Sequence, residues 1–413
     1  MLDVMAYISR RSFLSAAAGV TSAAAQGNLL QRADAASPRS REAPKFDQAA
    51  IRHDFEILNT DQVFLNTAYS APIPRQVVMA GIEALHRKEV NPLEDPASDA
   101  VRAGFAKLIN ASPDEIGLLH STGEAENVIA RGLDLNAGDN VVISSLHYDN
   151  EFILYRILEK ELGVDFRVAP HRAGAVEARD VEPFVDRRTR LISVALVSHQ
   201  NGYVHDLRAL AELAHSHGAY LYADAIQAVG SICVDVRATQ VDFLCAGAYK
   251  WLLSRNGVAP FYVKRSLFDR LRIDRYGEGQ IANRLPNWQY DLYTDARRFE
   301  SATASNGATA ELAASLKYLD QIGVANIDAH GVKLGLKLQQ ELSRMGHRLF
   351  TPMGNRCPIV AFYANKPVSM ARALFSENKI NVTARNGTVR VSPALFNNDE
   401  DIERLLDTAR KLL

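Results

Sequence analysis

Residues 191–197 read Leu-Ile-Ser-Val-Ala-Leu-Val, apolar at every position but Ser193. A strand without polar alternation has to be covered on both faces. The next segment supplies one cover. Asp206 can cap a helix running to residue 217, with Leu207, Leu210, Leu213 and Ala214 on one face, and Gly218 can end it. Further apolar runs occupy 140–144, 219–223, 242–246 and 258–263. Strands separated by helical patterns predict a mostly parallel sheet with helices on both faces, so the expected fold class is α/β. The C-terminal part reads differently. Short strands are expected at 359–363, 380–383 and 388–391, then a helix over 399–413, which together make a smaller α+β lobe.

Charge and cysteine content narrow the purpose of such a chain. Its 413 residues carry 47 Lys+Arg against 48 Asp+Glu, a net charge of -1. That balance argues against a nucleic-acid-binding surface, which needs a basic excess. No run of about 18 apolar residues is present to span a membrane. Cys233, Cys245 and Cys357 are too few and too scattered for a zinc knuckle or a disulfide framework. An enzyme or a soluble binding protein remains.

The N-terminus looks like an address. Ser9-Arg10-Arg11-Ser12-Phe13-Leu14 precedes an alanine-rich run over 15–25 that ends in Ala23-Ala24-Ala25. Paired arginines, a modest apolar stretch and small residues at a cleavage position resemble a twin-arginine export signal. Residues 26–45 are polar and linker-like. The expected organisation is therefore a signal and linker over 1–45, a large domain over 46–305 whose N-terminal segment contributes to the small lobe, and a small domain over 306–413. Export would make the protein periplasmic or secreted. A basic tail on a cytoplasmic enzyme is the alternative.

Among cofactor motifs, Gly277-Glu278-Gly279-Gln280-Ile281-Ala282 has dinucleotide-like spacing. It follows a charged helical pattern over 267–276 instead of a strand, and leads into Asn283 and Pro286, so it is assigned to a loop. No Walker loop, paired-His zinc helix or Gly-x-Ser-x-Gly elbow is present. Asp224 ends the run 219–223, and Lys250 lies just past the run ending at Ala246. Both fall at carboxyl ends of expected parallel strands, where open α/β sheets bind ligands. A carboxylate there can keep a pyridine nitrogen protonated, and a lysine can bond covalently to an aldehyde, the two things pyridoxal phosphate requires. Each residue alone has an ordinary alternative, a helix-capping Asp and a solvated Lys.

A resemblance adds to this. Ala223-Asp224-Ala225-Ile226-Gln227-Ala228-Val229-Gly230, Val241-Asp242-Phe243-Leu244 and Gly247-Ala248-Tyr249-Lys250-Trp251-Leu252-Leu253 resemble the class V aminotransferase family. Phe64-Leu65-Asn66-Thr67-Ala68, Val197-Ser198-His199-Gln200-Asn201-Gly202, Arg298-Phe299-Glu300 and Val389-Arg390-Val391-Ser392-Pro393 match its other motifs in order. The resemblance implies the type I pyridoxal-phosphate fold, with a mostly parallel, seven-stranded-type sheet. It also implies a homodimer with a shared site and a small amino substrate.

Site roles follow from the resemblance. Lys250 would be the Schiff-base lysine and the base at Cα. Asp224 would pair with the pyridine nitrogen, Gln227 would reach the ring hydroxyl, and His147 would stack on the ring face. Thr122 and Gly123 would hold the phosphate at a helix N-terminus. Tyr249 stands where relatives often place a phosphate-binding His, and Thr303 would reach a neighbouring subunit's phosphate. Arg390 would grip the substrate carboxylate, with Asn66 and Ala68 nearby.

The sequence departs from the family pattern at Gly123, usually threonine, and at Ala302, usually glycine. More consequential is 383–388, Thr-Ala-Arg-Asn-Gly-Thr, which has no Cys where cysteine desulfurases carry their nucleophile. Cys357 is expected to be a buried structural thiol. The short turn resembles the epimerase and carbon–sulfur lyase branches. Transamination is the leading expectation because it needs no further group. Epimerisation and β-elimination are the alternatives, desulfuration comes after them, and a cofactor-free binding protein is the non-enzymatic rival.

Overall fold

The apolar runs become neighbours in one sheet. The computed structural model describes residues 46–92 and 97–412, so the export-signal expectation lies outside the described residues. The sheet strands are β1 (Ile116–Leu119), β2 (Asn140–Ser144), β3 (Asp165–Ala169), β4 (Thr189–Ala195), β5 (Tyr220–Asp224), β6 (Phe243–Cys245) and β7 (Ala259–Val263). They form a seven-stranded sheet in the spatial order β1-β7-β6-β5-β4-β2-β3. Pairings among β3, β2, β4, β5 and β6 are parallel, and only β7 runs against its neighbours β6 and β1.

Alternation along the strands fills two apolar layers, as side chains of period two must. Val142, Ile192, Val194, Leu221, Ala223 and Leu244 point into one cluster, which Leu207, Leu210, Ala211 and Ala214 of helix Leu207–Ser216 help to build. Val141, Ile143, Leu191, Tyr222, Phe243 and Cys245 point into the other, covered by helices Thr122–Gly132 and Asp149–Leu162. The helix after β4 begins as the sequence predicts. Asp206 accepts from the Ala209 N–H, and Gly218 follows the helix at φ 73°.

The small lobe has a three-stranded antiparallel sheet of Val360–Tyr363, Thr388–Val391 and Thr383–Arg385. Helices Val324–Arg344 and Asp399–Arg410 bury Leu334, Leu338, Ile402 and Leu405 in its core. The N-terminal segment joins this lobe. Val63–Phe64 pairs in parallel with Ile380–Asn381, and Asn66 bridges to Ser392. Helix Asn306–Ile322 packs instead against helices Arg75–Val90 and Ser98–Leu108.

Two expectations change. The strand expected at 380–383 is two short strands, Ile380–Asn381 and Thr383–Arg385, each serving a different sheet. The helical pattern at 267–276 does not become a helix. One turn forms, with Leu271 N–H on the Leu267 carbonyl, and then Arg272 N–H turns to the Gly132 carbonyl at 2.9 Å. Docking on that helix end overrides the local propensity. The glycine motif that follows leads into a hairpin, Ile281–Arg284 with Tyr290–Leu292, and opens no helix. Among the described residues, no helix is long and apolar enough to cross a membrane.

Candidate active site

β4, β5 and β6 end on the same edge of the sheet, and the residues just beyond them meet there. A small inner recess is lined by Thr122, Ala195, Asp224, Gln227, Tyr249 and Lys250, among others. Next to it lies an outer cavity of about 640 Å³, lined by Asn66, Ala68, Thr383, Arg385 and Arg390 together with Lys250. Lys250, Tyr148, His199 and Tyr249 belong to both walls. The structure thus places Thr122, Asp224, Gln227, Tyr249 and Lys250 of the expected cofactor residues in the recess wall, and the expected substrate residues Asn66, Ala68 and Arg390 in the cavity wall. Lys250 stands between the two groups.

Burial sets the charges. Asp224 is 2% exposed, and its Oδ1 accepts from the Ile226 N–H at 2.9 Å. Burial pushes its carboxyl up to about 6, opposed by that N–H and by the nearby Lys250 ammonium. Burial also lowers Lys250, to about 8; Asp224 opposes the shift, and Arg390 and Arg385 add to it. An amine brought toward neutrality in this way is easier to use as a base or nucleophile. Its Nζ lies 5.5 Å from the centroid of the Tyr249 ring.

Gln227 is fixed at both ends of its amide. Nε2 donates to the Ala68 carbonyl and Oε1 accepts from Trp251 Nε1, each at 2.8 Å. The amide nitrogen keeps a second hydrogen for a ligand. Ala68 is held in turn by Ser392 Oγ, which accepts its N–H at 3.0 Å, and Asn66 Oδ1 accepts from Thr383 Oγ1 at 2.8 Å. Helix Thr122–Gly132 points its first turn at the recess. Ser121 Oγ caps Glu124 N–H, which leaves the N–H groups of Thr122 and Gly123 available. A Cβ at Gly123 would meet nothing within 4 Å, so open space lies beside this helix end.

Two expected site residues lie elsewhere. His147 does not line the recess; Tyr148 does. His147 is fully buried behind the site, where Nδ1 accepts from the Tyr148 N–H at 2.7 Å and Nε2 meets Ser193 Oγ at 2.9 Å. Burial lowers its imidazole to about 3. Thr303 is exposed, and it lines neither the recess nor the cavity.

Sequence reasoning missed His199. It sits in the turn after β4, 6% exposed, with Nδ1 buried and unpartnered. Its ring meets Tyr148 edge-on, with centroids 5.2 Å apart, and burial lowers it to about 2. A histidine just past the carboxyl end of an apolar parallel strand was the available signal. Arg390, also 6% exposed, donates Nη1 to the His199 carbonyl at 2.6 Å and Nη2 to Thr383 Oγ1 at 3.1 Å, while Nε has no partner.

The "Aminotransferase class-V" family profile matches residues 63–405. The chain belongs to the class V aminotransferase family. A probable cysteine desulfurase of Methanothermobacter thermautotrophicus is 30% identical over 391 residues, covering 88% of this chain and 97% of the relative. Among solved structures, the cystine C–S lyase C-DES, in complex with its product cysteine persulfide, superposes with a TM-score of 0.79 at 17% identity. That match covers 85% of this chain and 98% of the lyase. A C-DES variant with glycine covalently linked to its PLP cofactor gives 0.81 at 17% identity, over 88% and 99% of the two chains. The fold is that of these pyridoxal-phosphate enzymes, and the cofactor of this family member is pyridoxal phosphate.

The residues present fit that cofactor. Asp224 is a buried carboxylate facing the recess, Lys250 an amine of lowered basicity beside it, and the open space at Gly123 adjoins free N–H groups suited to a phosphate.

Proposed function

We propose that the protein removes the α-proton of an amino acid and cleaves a bond at its β-carbon. In this reading it is a carbon–sulfur lyase that uses no cysteine of its own. The observation that carries the proposal is the position of Lys250 in the wall shared by the Asp224 recess and the Arg390 cavity. Thr122, Gly123, Asp224 and Gln227 hold the cofactor, which when bound stabilises negative charge at the substrate Cα. Arg390 orients the α-carboxylate with the donors that His199 and Thr383 leave free. Lys250 takes the α-proton, and the β-substituent leaves with its bonding electrons. Tyr148 and Tyr249 flank the reacting centre and exclude water.

The names of the desulfurase and lyase relatives support carbon–sulfur chemistry. The cysteines support the version without a persulfide on the enzyme. Cys245 and Cys357 are buried, Cys233 is exposed, and none of the three lines the cavity. At the place where a loop could carry a thiol, Asn386 (φ 51°) and Gly387 (φ 75°) make a tight hairpin turn. Transamination is the second reading. It is favoured by Lys250 being the one amine in the site wall, since a single amine can move the proton between two carbons. A panel of amino and sulfur-containing substrates decides: released thiol or sulfide with a keto acid and ammonia supports the lyase. A keto acid formed only with a second keto acid present replaces it with transamination. Inverted configuration replaces both with epimerisation.

We also infer a homodimer, with Thr303 reaching the partner's phosphate site, and export through the residues 1–45. A monomer by light scattering removes the first. Continued export of a reporter fusion after Arg10→Lys and Arg11→Lys removes the second.

A further inference from the structure

The outer cavity is one-sided in charge. Arg372, Arg385, Arg390 and Lys250 line it, and no aspartate or glutamate does. An α-amino acid brings one carboxylate, which Arg390 can take. That leaves Arg385. Its guanidinium is exposed and has no hydrogen-bond or ion-pair partner among the described residues.

Strand geometry aims Arg385 at the same space. Thr383 pairs with Arg390, and Arg385 pairs with Thr388. Residues two apart share a face, so Arg385 and Arg390 project from the same side of the sheet as diagonal neighbours, about 7–8 Å apart at the backbone. The tight turn at Asn386 and Gly387 fixes that register. Arg372 braces it from helix Val368–Glu377 by donating Nη2 to the Ala384 carbonyl at 2.7 Å. Arg385 is also close enough for its charge to be felt at Lys250, His199 and Arg390.

We propose that this cavity selects amino acids carrying a second anionic group, with Arg390 taking the α-carboxylate and Arg385 the side-chain anion. The chemical class is a side-chain carboxylate, sulfinate or sulfonate, each of which offers oxygens to a guanidinium fork. With Arg390 taken by the α-carboxylate, a neutral side chain leaves Arg385 unpaired beside Arg372 and Lys250; an anionic one supplies its partner. Arg385 determines specificity, and Arg372 is a positioning residue that holds its strand.

The inference rests on the pyridoxal-phosphate reading of the site, and the test separates the two. In the holoenzyme, affinities for aspartate, cysteine sulfinate, cysteate and asparagine are read from changes in the cofactor's visible absorbance. Binding of succinate and of butyrate, which have no amine, is read by calorimetry. Wild type is expected to bind succinate at least about tenfold more tightly than butyrate, and aspartate or cysteate at least about tenfold more tightly than asparagine. Arg385→Ala, at the exposed end of its strand, is expected to remove both preferences by weakening succinate and aspartate far more than butyrate and asparagine, while the melting temperature stays unchanged. Arg385→Lys should restore part of the preference. Equal binding of succinate and butyrate by wild type overturns the inference, as does a preference that survives in Arg385→Ala. A protein with no visible absorbance overturns the cofactor reading instead, and the succinate-to-butyrate ratio still decides the anion site.

Discussion

The Arg390 guanidinium donates to the backbone carbonyl of His199 at 2.6 Å and so joins the small lobe's sheet to the turn at the end of β4. The same side chain has an unpartnered Nε and is 6% exposed, so the brace keeps a donor to spare for the proposed carboxylate contact. Truncating one partner of a buried, charged hydrogen bond costs about 2–5 kcal/mol. Arg390→Ala is therefore expected to lower kcat/KM for amino acids on the order of 30-fold to several thousand-fold, mainly through KM. Arg390→Lys should recover only a fraction, because an ammonium cannot reproduce the planar fork. Steady-state kinetics check this; an unchanged KM in Arg390→Ala would remove the carboxylate role.

Gly202 closes the His199 turn at φ 76°, where a Cβ would lie 2.2 Å from the Ile359 carbonyl oxygen. Both the backbone conformation and the space exclude a side chain. Gly202→Ala is expected to destabilise the fold by more than about 1 kcal/mol. It should also raise KM, because the displaced turn carries the carbonyl that Arg390 holds. Denaturant unfolding and kinetics on the same sample measure both effects. A stable variant with ordinary KM would show that the turn does not position Arg390.

Local pattern carried much of this fold into the sequence. The apolar runs that became β2, β4, β5, β6 and β7, and the Asp206-capped helix, are set by neighbours in the chain. Asp224 and Lys250 were legible because strand ends are legible. What stayed hidden depends on long-range contact. β1 pairs with β7, far along the chain, and lies antiparallel to it. Ser193 reads as a blemish in an apolar strand, yet its hydroxyl meets His147 and donates to Glu126 Oε1 at 2.5 Å. His147 and Tyr148 are adjacent in sequence, and nothing local says which one faces the recess; the buried partners Ser193 and Glu126 decide it. Arg385 reads as an ordinary turn residue until the hairpin register places it beside Arg390.

Lys250→Ala should abolish the visible absorbance of the purified protein and its turnover. A variant that keeps its colour would refute the assignment. The cofactor-free protein offers a second readout. Lys250 is lowered in the fold to about 8 from an ordinary 10.5. Between those values the unfolded chain binds more protons, so stability gains as pH rises from about 8 toward 10.5. The cofactor-free Lys250→Ala protein is expected to lack that gain, which melting curves across the alkaline range can show.

Behind the site, Glu126 is fully buried, with Oε1 accepting from Ser193 at 2.5 Å and from Tyr155 at 2.8 Å. Burial raises its carboxyl above the usual range, the hydroxyl donors oppose the shift, and the Asp224 charge adds to it. A group raised by folding contributes stability below the ordinary carboxylate range and loses it as pH rises through the raised value. Its neighbour His147 is lowered to about 3 from 6.5, so its contribution is complete above pH 6.5 and is lost as pH falls toward 3. The two residues thus penalise opposite ends of the pH range. Glu126→Gln keeps the acceptor oxygen and removes the ionisation. Its melting temperature relative to wild type should climb between about pH 4.5 and about 7 and level off above, while the acid-side loss caused by His147 persists in both proteins. A melting-temperature difference that does not vary with pH would show that folding does not shift the Glu126 carboxyl.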